Sequence, residues 1–360
     1  SVGPYTYQNT NILGYGYYTN NPPAGAFRGF GVCQSEYALE MLIDRLAEMV
    51  GISPWEIRFR NAIEPGKVLP NGQIADCSTA LKETLLAVKD VYEAHPGRAG
   101  IACALKNAGV GVGLPDKGRA RAEVLDGKLR VYTAASDIGQ GCRTVFTQIL
   151  QSETGLPIEK LSISRGSTED SPDSGTTSGS RQTLITGEAV RGLAAEVKKD
   201  LDAAGGKLEE LNGKEYFYEF FDPTDKLGAD LPNPKSHVAY AFATNVAILD
   251  DEGRVTDVYA AHDSGKVVNP VSIQGQIEGG VLMGMGYALT EDFPLKDCVP
   301  TAKLGTLGLL RANQIPNIHA IYVEKDTPLP FAHGAKGIGE IASIPIAPAI
   351  ANAYYAFDHE

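Results

Sequence analysis

Val131-Tyr132-Thr133-Ala134-Ala135-Ser136-Asp137-Ile138-Gly139 and Val258-Tyr259-Ala260-Ala261-His262-Asp263-Ser264-Gly265 are nearly the same phrase, with one residue deleted in the second. Each reads as a strand running into a turn that carries an Asp and ends on Gly, and each is followed by an apolar helical pattern. After the first come Val145, Phe146, Ile149 and Leu150; after the second, residues 273–289 stay largely apolar. A strand, a Gly-rich turn and a helix that recur in one chain predict an internal duplication. The fold class expected is α+β, with two related subdomains of mixed sheets and flanking helices.

Working outward, residues 124–134 alternate as a strand, and residues 158–164 read as a second, followed by the small, polar loop 166–181. A helix then shows Val190, Leu193, Ala194, Val197 and Leu201 on one face. Strands are predicted again at 238–248, 255–261 and 318–323, and a closing helix at 343–357. Nearer the start, Ser35 is a candidate cap for a helix whose apolar stripe runs Leu39, Leu42, Ile43, Leu46, Ala47 and Val50. Ser53-Pro54 opens another, and a third is expected over 78–94. The pattern changes at Pro96-Gly97-Arg98. Residues 1–96 therefore form one segment and 97–360 a second domain, with subdomains at about 97–204 and 236–360 and a charged connector at 205–235.

Composition narrows the function. A net charge of −12 over 360 residues leaves no basic face to neutralise phosphates in bulk, which excludes broad nucleic-acid or anionic-membrane binding. No apolar run reaches the length of a membrane span and no signal peptide is recognisable, so the expected compartment is cytoplasmic. Five scattered cysteines contain no CxxC pair, and the six histidines form no HExxH. A metal would have to arrive inside a cofactor.

Four turns share the capacity to direct backbone N–H groups toward an anion at a helix start. They are Gly139-Gln140-Gly141, the run Ser178-Gly179-Ser180-Arg181-Gln182-Thr183, Gly275-Gln276, and Lys336-Gly337-Ile338-Gly339-Glu340. Ser180 and Thr183 offer hydroxyls to a phosphate; Gln140 and Gln276 each offer a donor and an acceptor to a heterocycle edge. Glu340 is the candidate base, since a carboxylate desolvated in a Gly-rich, largely apolar loop becomes a stronger proton acceptor. The residues alone leave other readings open: capping or surface glutamines, a flexible Ser/Gly loop, Phe30 as a core aromatic and Arg28 as a salt-bridge partner. Neither GxxxxGK[ST] nor GxGxxG opening a helix is present, and no GxSxG elbow supports a hydrolase.

Together with Ala26-Phe27-Arg28-Gly29-Phe30-Gly31, these motifs occur in an order and spacing that resemble the molybdenum-containing subunit of the xanthine dehydrogenase/aldehyde oxidoreductase family, over nearly the whole chain. Residues 52–58 and 68–73 most resemble the bacterial xanthine dehydrogenases linked to selenium use. The resemblance implies that residues 97–360 are the second molybdenum-cofactor-binding domain and that 1–96 belong to the first. It implies oxidative hydroxylation of a purine-like heteroaromatic or an aldehyde, with water as oxygen source, Glu340 as base and a hydride leaving to a sulfido or selenido ligand. Arg28 and Gly179 match positions beside the molybdenum, without ligating it, and Phe30 an aromatic against the substrate ring. Gly139, Gln140, Gly141, Gly179, Ser180, Thr183 and Gln276 match the surroundings of the pterin, whether in mono- or dinucleotide form.

The departures from the family shape the remaining expectations. Its upstream half, the cysteine motifs for two [2Fe-2S] clusters and a flavin domain are missing, and Cys33 stands where many relatives have Pro. The chain is expected to be a fragment or part of a split subunit, unable alone to hold the cofactor stably. Its partners would be the N-terminal half of the molybdenum subunit and chains carrying [2Fe-2S] and FAD. A non-catalytic cofactor-binding or structural module and an unrelated phosphate-ligand-binding protein stay open as alternatives.

Overall fold

The computed structural model describes residues 3–359 and contains two four-stranded sheets that share one plan. In the first, β2 (Lys117–Leu125) and β3 (Lys128–Tyr132) form an antiparallel hairpin. Helix α5 (Cys142–Thr154) then crosses to β4 (Leu161–Ile163), parallel to β3. In the second, β6 (Ala239–Leu249) and β7 (Val255–Asp263) pair antiparallel, and α7 (Pro270–Leu289) crosses to β10 (Asn317–Val323), parallel to β7. The two echoing phrases therefore occupy equivalent places, on the strand and turn that launch each crossover helix.

Each sheet is completed by an antiparallel edge strand beside the first strand of its hairpin: β5 (Glu215–Phe221) beside β2, and β1 (Ala99–Ala108) beside β6. This differs from the boundaries read in sequence. The expected first subdomain, 97–204, includes β1, which belongs to the second sheet. The expected connector, 205–235, carries β5, which belongs to the first. The first sheet is thus inserted between the edge strand of the second and its remaining strands. β1 shows no alternation because it is buried on both faces, and such a run of small residues is hard to recognise as a strand. The strand expected over 124–134 is in fact the end of β2, a turn at Asp126-Gly127 and β3.

One face of the first sheet packs on α5 and α6 (Gly187–Ala203), burying Val131, Phe146, Ile149, Leu193 and Val197. The second sheet is covered on both faces. Trp55 of α2 (Pro54–Asn61), α3 (Leu81–Ala87) and Tyr5 cover one, while α7 and α8 (Ile346–Asp358) cover the other. Gly280 of α7 lets the helix lie against Ala342, where a Cβ would come within 2.4 Å of that side chain. The segment expected as one helix at 78–94 breaks at Val88 into α3 and α4 (Lys89–Glu93), and a small hairpin, β8 (Leu295–Lys296) with β9 (Val299–Pro300), follows α7.

Helix α1 (Val32–Val50) is turned about its axis from the expected orientation: Leu39, Ile43 and Ala47 of the expected stripe pack toward the core, but the rest of it does not. Its buried residues are Glu36, Glu40, Asp44 and Ala47, whereas Leu42, Leu46 and Val50 are exposed. The cause is the fully buried Arg58, which donates to Glu40 at 2.7 Å and to Asp44 at 2.6 Å; Tyr5 and the Cys103 amide also donate to Glu40. A buried guanidinium requires its countercharges, and that demand outweighs the burial of a leucine stripe. Gly31, in a left-handed conformation, precedes the helix, and the hydroxyl of Ser35 donates to the Val32 carbonyl rather than capping.

Candidate functional site

The starts of α5, α6 and α7, the loop before α1 and the loop ending at Glu340 converge on a cavity of about 680 Å³. Arg28, Phe30, Gly139, Gln140, Gly179, Ser180, Thr183, Gln276 and Glu340 all line it. Gly141 and Gly275, also singled out in sequence, are absent from the wall; Gly141 sits at the N-cap of α5, in a left-handed conformation.

Arg28 ties two of the loops together. Its guanidinium donates to the Gly339 carbonyl through Nε and, through Nη2, to the backbone and side-chain oxygens of Gln276 at 2.9 and 3.0 Å. Burial pulls the guanidinium below its ordinary range, with the Glu340 carboxylate pushing the other way. Gln276 is therefore a partner of Arg28. Ser343 adds a brace, its hydroxyl lying 3.1 Å from the Arg28 carbonyl and 3.0 Å from that of Glu340. Phe30 is two-thirds exposed (66%) and stands at a φ of 44°, which rules out the reading as a core aromatic and places a strained residue on the rim.

Glu340 is gripped by one oxygen. Ser180 Oγ and Lys106 Nζ lie 3.1 and 3.2 Å from Oε2. Among the described residues no hydrogen bond falls on Oε1. Sequence alone predicts an isolated carboxylate and misses the buried ammonium beneath it. Lys106 has no motif around it and lies in β1, so only the pairing of that strand reveals it.

Two expectations about donors change. The N–H groups of Gly139 and Gly141 are directed at the Asp137 carboxylate, at 3.0 and 3.2 Å, and the Gln140 side chain bonds Ile138 N–H and the Ser136 carbonyl within its own turn. This turn is braced internally instead of presenting free donors. The Ser180 hydroxyl is engaged with Glu340, whereas Thr183 carries no side-chain hydrogen bond among the described residues. Thr183 lies in one turn of π-helix, Gln182–Thr186, that leads into α6. Arg181 is consumed within the wall, its guanidinium buried against Asp116 and the Lys117 carbonyl. Lys336 is likewise consumed, by Asp263 at 2.6 Å and the Ser78 carbonyl at 2.9 Å, which pins the last loop to the second sheet.

The backbone of this wall suits a large bound group. A Cβ at Gly139 would meet nothing within 4 Å, so the chain there faces open space that a ligand can approach closely. At Gly337 the reverse holds: a Cβ would lie 1.5 Å from the Ser180 carbonyl oxygen, so only glycine lets the two loops meet. Among the described residues no group of His, Cys, Asp and Glu could hold a metal ion, and no helix is long and apolar enough to cross a membrane.

Fold and cavity define a cofactor-binding module, two sheets of one plan whose crossover helices begin around a single cleft. The chain belongs to the molybdopterin cofactor-binding domains of the molybdenum hydroxylase family: one domain model matches residues 82–218 and 209–316, another residues 1–62. It is 31% identical to the aldehyde oxidoreductase of Megalodesulfovibrio gigas, over 97% of this chain and 41% of that protein. It is 29% identical to the xanthine dehydrogenase molybdenum-binding subunit of Escherichia coli O157:H7, over 93% of this chain and 51% of that protein. The solved aldehyde oxidoreductase from Desulfovibrio gigas superposes with a TM-score of 0.79 at 29% identity, covering 92% of this chain and 39% of that one. The chain thus spans about half the length of the curated relatives it matches.

Proposed function

We propose that this chain supplies the base and one wall of the cofactor cleft in an assembled molybdenum hydroxylase. There, Glu340 takes a proton during oxidative hydroxylation of a purine-like heteroaromatic or aldehyde substrate, with water as the oxygen source. The observation that carries this reading is the posture of Glu340: Oε2 is anchored by Ser180 and Lys106, and Oε1, without a partner among the described residues, is left on a carboxylate that lines the cleft. When bound, the molybdenum–pterin group supplies a two-electron acceptor and a centre at which water is activated.

The chain's own residues then have distinct tasks. Arg28 fixes the loop that carries Glu340 and places a cation beside the cleft, near Gly179. Phe30 presents an exposed ring to a planar substrate. Thr183 and the glycine backbones at 139 and 179 receive the pterin and its phosphate; Gln140, Gly141, Ser180 and Gln276 shape that wall through the bonds they make within it. Partner chains carrying [2Fe-2S] clusters and a flavin would supply the electron acceptors, and the other half of the molybdenum subunit would supply the rest of the cleft. Five unpaired cysteines suit a reducing compartment, the cytoplasm.

The complex purified from its native host should contain about one molybdenum per chain, and Glu340→Gln should abolish its turnover while the metal content stays unchanged. Absence of molybdenum would favour a structural or phosphate-binding module. Turnover that survives the substitution would remove Glu340 from the chemistry.

A further inference from the structure

Lys106 sits near the end of β1, opposite Ala241 of β6, and is buried. Its ammonium lies 3.2 Å from Glu340 Oε2 and donates to Asn107 Oδ1 at 2.6 Å. Asn107 donates in turn to the Gly109 carbonyl at 2.6 Å, and the Gly109 N–H to the Gly179 carbonyl at 2.9 Å. Ser180, the next residue, closes the ring on the same carboxylate oxygen. The end of β1, the loop at 178–181 and the loop at 337–340 are therefore joined by one closed path of polar contacts that includes the carboxylate. A buried ammonium is costly to desolvate and is retained where a countercharge and hydrogen bonds offset that cost.

We propose that Lys106 is a positioning residue for the base: it holds Oε2 of Glu340 at the back of the cleft, so that Oε1 alone is presented to the reacting side. This rests on the reading of Glu340 as the base.

The surrounding charges leave this task to Lys106. Arg28, from the loop before α1, faces Glu340 but is committed to Gly339 and Gln276. Cys33 of α1 also faces it, as a thiol that burial pushes up and keeps neutral. On the far side of Lys106, His237 is held neutral, pushed down to about 4 by burial and by the Lys106 charge, and Asp116 is paired with Arg181. Lys336, on the same loop as Glu340, is paired with Asp263.

The test uses the holoenzyme complex with Lys106→Met, which removes charge and hydrogen bonds, and Lys106→Gln, which removes charge and keeps a donor. Both should retain wild-type molybdenum content and KM. Lys106→Met should lower kcat about tenfold, and Lys106→Gln less. Because a misplaced base still binds substrate, the loss should fall on kcat alone and leave KM where it was. A wild-type kcat in Lys106→Met, a rise in KM that accounts for the lost kcat/KM, or a loss of rate accounted for by lost molybdenum overturns the proposal. If Lys106→Met does not assemble, Lys106→Gln decides by the same readings. Activity surviving in Glu340→Gln would refute the base reading itself, an outcome distinct from these.

Discussion

Ser180 and Glu340, 160 residues apart in the chain, bond each other twice: the Ser180 hydroxyl donates to Glu340 Oε2 at 3.1 Å and accepts from the Glu340 N–H at 3.1 Å. Ser180 holds a φ of 55°, a conformation that side chains usually avoid, and this turn brings its carbonyl against Gly337. The loop at 178–181 and the loop that carries Glu340 therefore behave as one piece. Whatever displaces one loop displaces the Glu340 carboxylate.

Gly337→Ala tests that coupling. The added methyl cannot share space with the Ser180 carbonyl, so the loops must separate, although neither Ser180 nor Glu340 is altered. The expected result is a fall in kcat on the order of 100-fold, the effect of moving a catalytic group by about an ångström. Steady-state kinetics of the complex, corrected for molybdenum content, make the measurement. A variant with wild-type kcat would show that the two loops are independent.

Arg58→Met addresses the far side of the second sheet. It leaves Glu40 and Asp44 buried without their cation, and breaking a buried pair of this kind costs about 3–5 kcal/mol. The urea midpoint should fall accordingly, with KM and the kcat of the surviving folded enzyme unchanged, because the network lies away from the cleft. A loss under about 1 kcal/mol would mean that the surroundings relax to hydrate the two carboxylates.

These sites differ in how far the sequence discloses them. The runs at 238–248, 255–261 and 318–323 mark β6, β7 and β10, because they combine β-branched and aromatic residues with turn residues at their ends. The glycine motifs mark the walls of the cleft, since close approach and left-handed turns admit few other residues. What the sequence conceals depends on distant partners. Lys106 gains its place only when β1 pairs with β6, past the whole inserted first sheet. The face that α1 buries is chosen by Arg58, which lies beyond the helix. Asp137 takes the N–H groups that the turn at 139–141, read as sequence, offers to a ligand.

Two buried histidines predict an acid sensitivity. Burial pushes His262 and His237 down to about 4, against an unfolded value near 6.5, so the folded state refuses protons that the unfolded chain accepts. The stability at stake is intact above pH 6.5 and is lost as pH falls toward 4, by about 3 kcal/mol for each histidine. His262 offers the cleaner test, because its Nε2 is buried without a hydrogen-bond partner among the described residues. His262→Leu should flatten the decline of the urea midpoint between about pH 7 and 4.5 relative to wild type. An unchanged slope would assign the decline to carboxylates instead.

Phe30 bears on the choice of substrate. Its ring is exposed on the rim of the cleft, and its φ of 44° shows that the Phe27–Gly31 turn holds it there at some cost in backbone strain. An aromatic kept exposed under strain is useful only if something flat packs against it, and such contacts contribute about 0.5–1.5 kcal/mol beyond the area they bury. If the substrate is a heteroaromatic ring, Phe30→Ala should raise its KM about three- to tenfold while kcat changes little, because stacking holds the ring equally before and during reaction. A small aliphatic aldehyde has no face to stack, so its KM should be nearly indifferent to the change. Measuring both substrate classes with one variant therefore separates a ring-selective cleft from an aldehyde-selective one, and equal KM shifts for the two would show that Phe30 shapes the cleft without reading the ring.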